Sequence, residues 1–210
     1  WDVVGLQGTG SHDIVLDDVF VPEHRTHKSM DGFLCENPGN DVNSAPLYHL
    51  PFMQVFVRAV CTASLGALEG SLEAFVEVAK TRQVGPVKMK DDPFARKLAA
   101  EVRASIDEMR LTMVRNFDDM MACARADTPI PVEDRVAYRA NAGAATDRMV
   151  KALDDLFMAS GGTAIFLDQD IQRFFQDIHG ARAHHANNPL KTQRNYGGLL
   201  MGEKTTDFFL

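Results

Sequence analysis

PFMQVFVRAVCTASLGALEGSLEAFVEVAKTR, residues 51–82, is the stretch that decides the fold. From about Pro51 to Thr81 nothing interrupts it, and about 31 residues at ~1.5 Å each make a rod of about 46 Å. Strands are far shorter, so the stretch is a long helix. Ala59, Ala63, Ala67, Gly70 and Ala74 lie along one side. Small side chains there admit a second helix at close range, or leave room for a flat ligand; close packing is the commoner use of such a stripe. Arg58 is the one charge inside the apolar run Phe52–Val60. A buried guanidinium is costly unless paired, so Arg58 either snorkels out or meets an anion or a ring. Arg82 ends the segment, where a cation favours the helix dipole.

Three more helices follow. Asp92 can cap a second one and Pro93 suits its first turn. Phe94, Leu98, Val102, Met109, Met113, Phe117, Met120 and Ala124 recur at three- and four-residue steps, with Ile106 adjoining. A methionine stripe of this kind is adaptable core filling more often than a ligand surface. Thr128-Pro129-Ile130-Pro131 breaks the chain, and a third helix spans about Val132–Ala159 with Val136, Ala140, Ala144, Leu153 and Phe157 inward. Ser160-Gly161-Gly162 ends it as a glycine cap does. A fourth starts near Asp168, with Ile171, Phe174, Phe175, Ile178, Ala181 and His185 on its apolar side and an Arg173–Asp177 pair one turn apart, and stops at Asn187-Asn188-Pro189. The tail holds a short helix around Lys191–Tyr196 and an apolar end, Phe208-Phe209-Leu210. Long helices joined by tight breaks predict an up-and-down antiparallel four-helix bundle, so the fold is mainly α.

The other end differs. Trp1–Val21 has glycines at 5, 8 and 10 and a rough alternation through Ile14, Leu16 and Val19–Val21, which predicts one or two strands. Such strands are not stable alone. They are expected either to pair with another chain or to be the remnant of a domain whose upstream part is missing, the latter reading being preferred. Pro22–Pro46 is rich in Pro, Gly, Asn and Asp and is a linker.

Hydrophobic residues make up 45% of the 210 and charged residues 24%, which fits a folded domain rather than a disordered one. The net charge of -7 argues against a phosphate-neutralising nucleic-acid surface. The absence of an unbroken apolar run of about eighteen residues argues against a membrane span. Cys35, Cys61 and Cys123 are too few and too scattered for a disulfide framework, which points to a reducing, cytoplasmic setting.

Motifs are sparse. Gly8-Thr9-Gly10-Ser11-His12-Asp13 lacks the third glycine of a dinucleotide fingerprint, and its Ser, His and Asp are neighbours that cannot converge, so it is a turn. His179, His184 and His185 form the one histidine cluster. Residues 179 and 184 lie about 140° apart round a helix, which is poor for chelation, and no metal site is expected. A histidine at a helix end usually favours the dipole, but imidazole there is also placed for acid–base work. Gly161-Gly162 is a helix stop, or a turn whose bare backbone lets a cofactor approach.

Resemblance adds more. GLQGTGSHDIVLDDVFVPEHR (5–25) resembles the end of the β-domain of the acyl-CoA dehydrogenase superfamily, ASLGALEGSLEAFVEVAKTR (63–82) the first helix of its C-terminal domain, and SGGTAIFLDQDIQRFFQDIHGARAHHANN (160–188) its third-to-fourth helix junction and last helix. The chain is most similar to the oxygenase components of two-component flavin-dependent monooxygenases, of the p-hydroxyphenylacetate and 3-hydroxy-secosteroid hydroxylase type. Many dehydrogenases carry a glutamate base on or just after the last helix; here no carboxylate stands between Asp177 and Glu203. The monooxygenases have a histidine seven residues after the step at Asp177, which is His184.

The resemblance implies a division into the end of a β-domain (1–30), a linker (31–50), the bundle (51–190) and a tail (191–210). It implies reduced flavin, FMN more than FAD, delivered by a separate flavin reductase, reacting with O2 to a C4a-hydroperoxide that ortho-hydroxylates a phenol. His184 acts as base toward the phenol or holds the hydroperoxide by a hydrogen bond, and His185 is the alternative for that role. Arg58 sits near the flavin ring, and Arg82 with Gly161 and Gly162 near the flavin's phosphate end, often from a neighbouring subunit of a homotetramer. The alternatives are a dehydrogenase-like flavoenzyme with its base elsewhere, and a non-catalytic oligomerisation module.

Overall fold

A computed structural model describes residues 1–207, 209 and 210, and of residue 84 the backbone only. The sequence-predicted Phe208 end of the tail lies outside the described residues.

Among the described residues six α-helices follow one another: α1 (Ser29–Leu34), α2 (Phe52–Thr81), α3 (Pro93–Arg125), α4 (Val132–Ala159), α5 (Asp170–Arg182) and α6 (Pro189–Leu200). A two-stranded antiparallel hairpin, β1 (Gln83–Val84) and β2 (Val87–Lys88), turns the chain from α2 into α3. The boundaries follow local chemistry. Asp92 accepts the Phe94 N–H at 2.9 Å with Pro93 in the first turn. Gly161 takes φ 64 just past the end of α4, a conformation that costs glycine nothing.

α2 packs against α3, α4 and α5, and α4 against α6. The core is Leu65, Leu68, Leu72 and Phe75 of α2 against Val102, Ile106 and Met109 of α3, Met149, Leu153 and Leu156 of α4, and Ile171 and Ile178 of α5. Their three- and four-residue spacing puts each set on one helix face. Each fully buried aliphatic of this size contributes about 1.5–3 kcal/mol. By length and composition α2 is apolar enough to cross a bilayer, with a window of mean hydropathy 1.3, although its sequence contains no unbroken apolar run. Here it is the bundle's central helix, covered by three neighbours.

Several expectations need correction. Trp1–Val21 forms no strand. Ile14, Val15 and Phe20 are exposed, so the alternation has no partner strand and no face to bury it. Instead residues 4–6 dock on α5: the Leu6 N–H donates to Asp177 Oδ1 at 2.6 Å, and Gly5, at φ 76, lies so close that a Cβ would stand 2.0 Å from the Gln176 carbonyl. Asp177 is thereby used, and Arg173 pairs with Asp170 at 3.1 Å instead. The linker holds α1 and two 3-10 turns. Phe94 is exposed and Ala95 takes the inward place, joining the core cluster. α5 ends at Arg182, so His185 leaves the apolar side. α6 runs through Gly197 and Gly198, beyond the expected short helix.

Candidate functional site

The N-terminal half of α2 builds the site. Phe52, Val55, Ala59, Thr62, Ala63 and Gly66 are exposed and form one strip along the helix. Phe52 stacks on Phe56 with ring centroids 5.6 Å apart, and Phe56 lies 5.9 Å from the His184 ring. An aromatic ladder therefore runs from the start of α2 to an imidazole.

His184 caps a 3-10 turn, His185–Asn187, and its Nδ1 accepts the Ala186 N–H at 3.1 Å. That bond requires Nδ1 to be unprotonated, which puts the proton of the neutral ring on Nε2, facing outward as a donor. The turn is held from behind. Arg139 donates from Nη1 to the Ala186 carbonyl at 3.2 Å, and Asn187 Nδ2 to the Ala181 carbonyl at 2.8 Å. Arg139 and Asn187 are both buried, and Val57, Cys61, Ala142 and Ala186 pack around them. Sequence reading missed this support. Its signal was Arg139, a charge close to Ala137, Ala140 and Ala142 in a helix interior, one turn after Arg135.

His184 and His185 are both exposed, and no side-chain hydrogen bond is found for His185 among the described residues. The structure brings His184, not His185, to the aromatic ladder.

Arg58 lies two residues past Phe56, about 160° away round the helix, on the other flank of the exposed strip. It is only 5% exposed and its Nη2 has no partner among the described residues. Burial pushes its pKa down, countered by Cys61. It borders a small cavity of about 90 Å³ with Met109, Thr112, Asn141 and Arg148. A buried cationic donor left open beside a strip of alanine and glycine fits an anionic flat ligand.

Arg82 and Gly161 meet at the opposite end of α2. Arg82 Nη1 donates to the Ser160 carbonyl, and a Cβ on Gly161 would stand 2.6 Å from Nη2. Arg82 thus caps α4, not its own helix. Gly162 has open space around it. The two ends are about 36 Å apart along α2, more than one flavin mononucleotide spans.

Among carboxylates, Asp177 is occupied, and Glu69 on α2 bridges Arg103 and Arg110 at 2.8 and 2.6 Å. The N-terminal half of α2 carries none. One apolar cavity of about 620 Å³ opens where α1, the start of α2 and Phe209 meet.

The chain is similar to the flavin-dependent monooxygenase oxygenase subunit HsaA of Rhodococcus jostii, 36% identical over 212 residues, which cover 99% of this chain and 55% of that protein. The crystal structure of 3-HSA hydroxylase from Rhodococcus sp. RHA1 superposes with a TM-score of 0.93 at 34% identity, over 100% of this chain and 55% of that one. XiaF from Streptomyces sp., in complex with FADH2 and glycerol, superposes at 0.87 with 26% identity, over 99% and 53%. The chain spans about half the length of these relatives. The family model described as acyl-CoA dehydrogenase, C-terminal domain, matches residues 59–189, and with the bundle of α2 to α5 it shows that this chain belongs to that family.

Proposed function

We propose that this chain is the helical half of the oxygenase component of a two-component flavin-dependent monooxygenase, hydroxylating a phenol with reduced flavin delivered by a separate reductase. The observation that carries the reading is His184, its outward Nε2–H fixed at the end of the Phe52–Phe56 ladder. The names of the relatives support it. Bound reduced flavin supplies two electrons, so that O2 places one oxygen on the phenol ring and the other leaves as water.

The chain's own residues have three tasks. His184 donates a hydrogen bond to the oxygen being transferred or to the phenol; of the two roles implied by resemblance, its Nδ1 contact favours the donor over the base. Arg58 offers its open Nη2 to the anionic ring of the reduced flavin. The apolar strip and the phenylalanines keep water from the reacting atoms. Arg82 with Gly161 would reach only the phosphate end of a flavin held by a second copy, which gives an assembly such as a tetramer a chemical reason. XiaF's FADH2 makes FAD the first flavin to test, ahead of the FMN expected from sequence. Three free cysteines accord with a cytoplasmic setting. The dehydrogenase alternative is weaker, because Glu69 and Asp177 are both engaged.

The test is single-turnover hydroxylation of phenol by the intact oxygenase with reduced flavin and O2. His184→Ala should divert the oxygen to H2O2, lowering coupling about 10²-fold, the size of one general acid–base or donor contact. Full coupling in that variant, or oxidation of an acyl-CoA by the wild type, would overturn the reading.

A further inference from the structure

His184 is exposed, so little packing beyond the Phe56 ring fixes its side chain. The Ala186 N–H does the rest: it meets Nδ1 at 3.1 Å and sets both the tautomer and the direction of the ring. Ala186 therefore aims the imidazole. It is 3% exposed and packs with Val57, Cys61 and Ala142.

Ala186 is gripped from its other side as well. Its carbonyl accepts Arg139 Nη1 at 3.2 Å. The ends of the turn are tied back to α5, where the Ala181 carbonyl accepts the His184 N–H at 3.1 Å and Asn187 Nδ2 at 2.8 Å. Among the described residues Arg139 is the side chain that holds the middle of the turn from outside it.

That hold is not a stabilising device. Arg139 is 5% exposed, its Nε has no partner among the described residues, and its one hydrogen bond there goes to a neutral carbonyl. Burial pushes its pKa down, Asp207 and Cys61 push it up, and the Arg58 charge pushes it down again. An apolar side chain in place of such a cation is commonly neutral or stabilising. Nor is Arg139 needed to dock α4 on α6. A Cβ on Gly143 of α4 would stand 2.5 Å from Thr192 Oγ1, and Gln193 Nε2 donates to the Ala140 carbonyl at 2.7 Å, so the two helices meet closely without it.

We propose that Arg139 is a positioning residue for the reaction: by holding the Ala186 carbonyl it keeps the Ala186 N–H on His184 Nδ1, and so keeps the His184 Nε2–H aimed at the reacting oxygen. The role rests on the hydroxylase reading above for the reacting oxygen, but not for the tautomer of the ring. Arg139 acts through Ala186 and His184, so its loss is read in kcat and coupling and not in KM. A shift of about 1 Å in such a group can cost about 10²-fold.

The experiment compares Arg139→Met, Arg139→Lys and, as a control, Gln193→Leu in the intact oxygenase. Arg139→Met should lower the coupling of phenol hydroxylation about tenfold, with the KM for phenol and the affinity for reduced flavin unchanged. Arg139→Lys, a cationic donor without the planar fork, should recover part of that loss. Gln193→Leu, which loosens α4 from α6 without touching Ala186, should couple as the wild type does. In the His184→Ala background Arg139→Met should add nothing, because the two side chains act as one unit. A second arm needs no turnover. Nitrogen NMR of isotope-labelled histidine, with His184 assigned by its loss in His184→Ala, should show the Nε2–H tautomer in the wild type and a mixture of tautomers in Arg139→Met. That change in a protein that does not hydroxylate phenol sustains the positioning role and sinks the hydroxylase reading alone. An unchanged tautomer in folded Arg139→Met, an additive loss in the double variant, or an equal loss in Gln193→Leu overturns the role and leaves the hydroxylase reading standing. Where the methionine variant does not fold, Arg139→Gln, neutral and too short to reach, is read in its place.

Discussion

The two halves of α2 obey opposite rules. From Leu65 onward its apolar residues Leu65, Leu68, Leu72 and Phe75 are buried, Glu73, Glu77 and Lys80 lie outside with Glu69 half-buried, and Ser71 is the one buried polar residue. Before Leu65 the pattern is partly inverted: Gln54, Arg58 and Ser64 are buried while Phe52, Val55, Ala59 and Ala63 face outward. Burying polar groups and exposing apolar ones costs stability in both directions. On the proposed reading, a helix with one regular half and one irregular half separates support from function within a single element, with the candidate site on the irregular half.

The largest effect expected from this contrast is on the regular half. Leu68 is fully buried, and Leu68→Ala should lower the unfolding free energy by about 3–4 kcal/mol through lost transfer energy and a residual cavity. Val55→Ala, on the exposed strip, should change it by less than about 0.5 kcal/mol. Denaturant titration of both variants decides; equal losses would erase the distinction between the halves.

Tyr138 tests the irregular half from behind. It packs with Leu50, just before α2, and Met120. Burial first, then the charges of Asp119 and Asp134, raise its pKa to about 12 from the usual 10.0. The folded state thus keeps a proton that the unfolded chain gives up. Its contribution is complete below pH ~10 and is lost as the pH climbs toward ~12, by about 2.7 kcal/mol at 1.36 kcal/mol per unit. Stability measured across that window should fall less steeply in Tyr138→Phe; identical slopes would refute the assignment.

Arg58 sharpens the comparison most directly. Removing a buried cation whose Nη2 has no partner among the described residues relieves its desolvation, so Arg58→Met should leave thermal stability unchanged or raise it. Affinity for reduced flavin, titrated anaerobically, should fall about tenfold, the loss of one charge-assisted contact of roughly 1.4 kcal/mol. A variant that is destabilised yet binds flavin normally would make Arg58 part of the core, and the two halves would then differ only in degree.

The helices were legible because their ends are written locally: Asp92-Pro93, Thr128-Pro129-Ile130-Pro131 and Ser160-Gly161-Gly162 each stop or start a helix within a few residues. Strands at the N-terminus were not, since pairing is a long-range property and Ile14 and Val15 find no neighbour. The tail helix was expected only around Lys191–Tyr196, yet α6 passes through Gly197 and Gly198, with the Glu203 side chain lying over Gly198. Of the candidate site, resemblance to a family marked His184 and His185, Arg58, and Arg82 with Gly161 and Gly162. It could not show that Phe56 faces His184, or that Arg139 props the turn, since those partners come from distant segments. The apolar cavity escaped for the same reason, though the Phe52-Met53 start of α2 was its one local sign.

The smallest effect returns to the outside of the regular half. Glu69 accepts from Arg103 Nη1 at 2.8 Å and from Arg110 Nη2 at 2.6 Å, stitching α2 to α3. The Arg103 hydrogen bond, ahead of the Arg110 charge, holds its carboxyl below the ordinary value of 4.5. A depressed carboxyl contributes above the unfolded value and loses that contribution as the pH falls through the folded one. The stability difference between wild type and Glu69→Gln should therefore be present at neutral pH and fade below about pH 4. The arginine side chains are 42% and 44% exposed, so water and salt screen the bridge, and the difference should stay under about 1 kcal/mol and shrink at high ionic strength. A larger, salt-independent loss would mean that charge, and not the core that Leu68 and Ile106 share, joins α2 to α3, and the regular half would no longer be held by its apolar face.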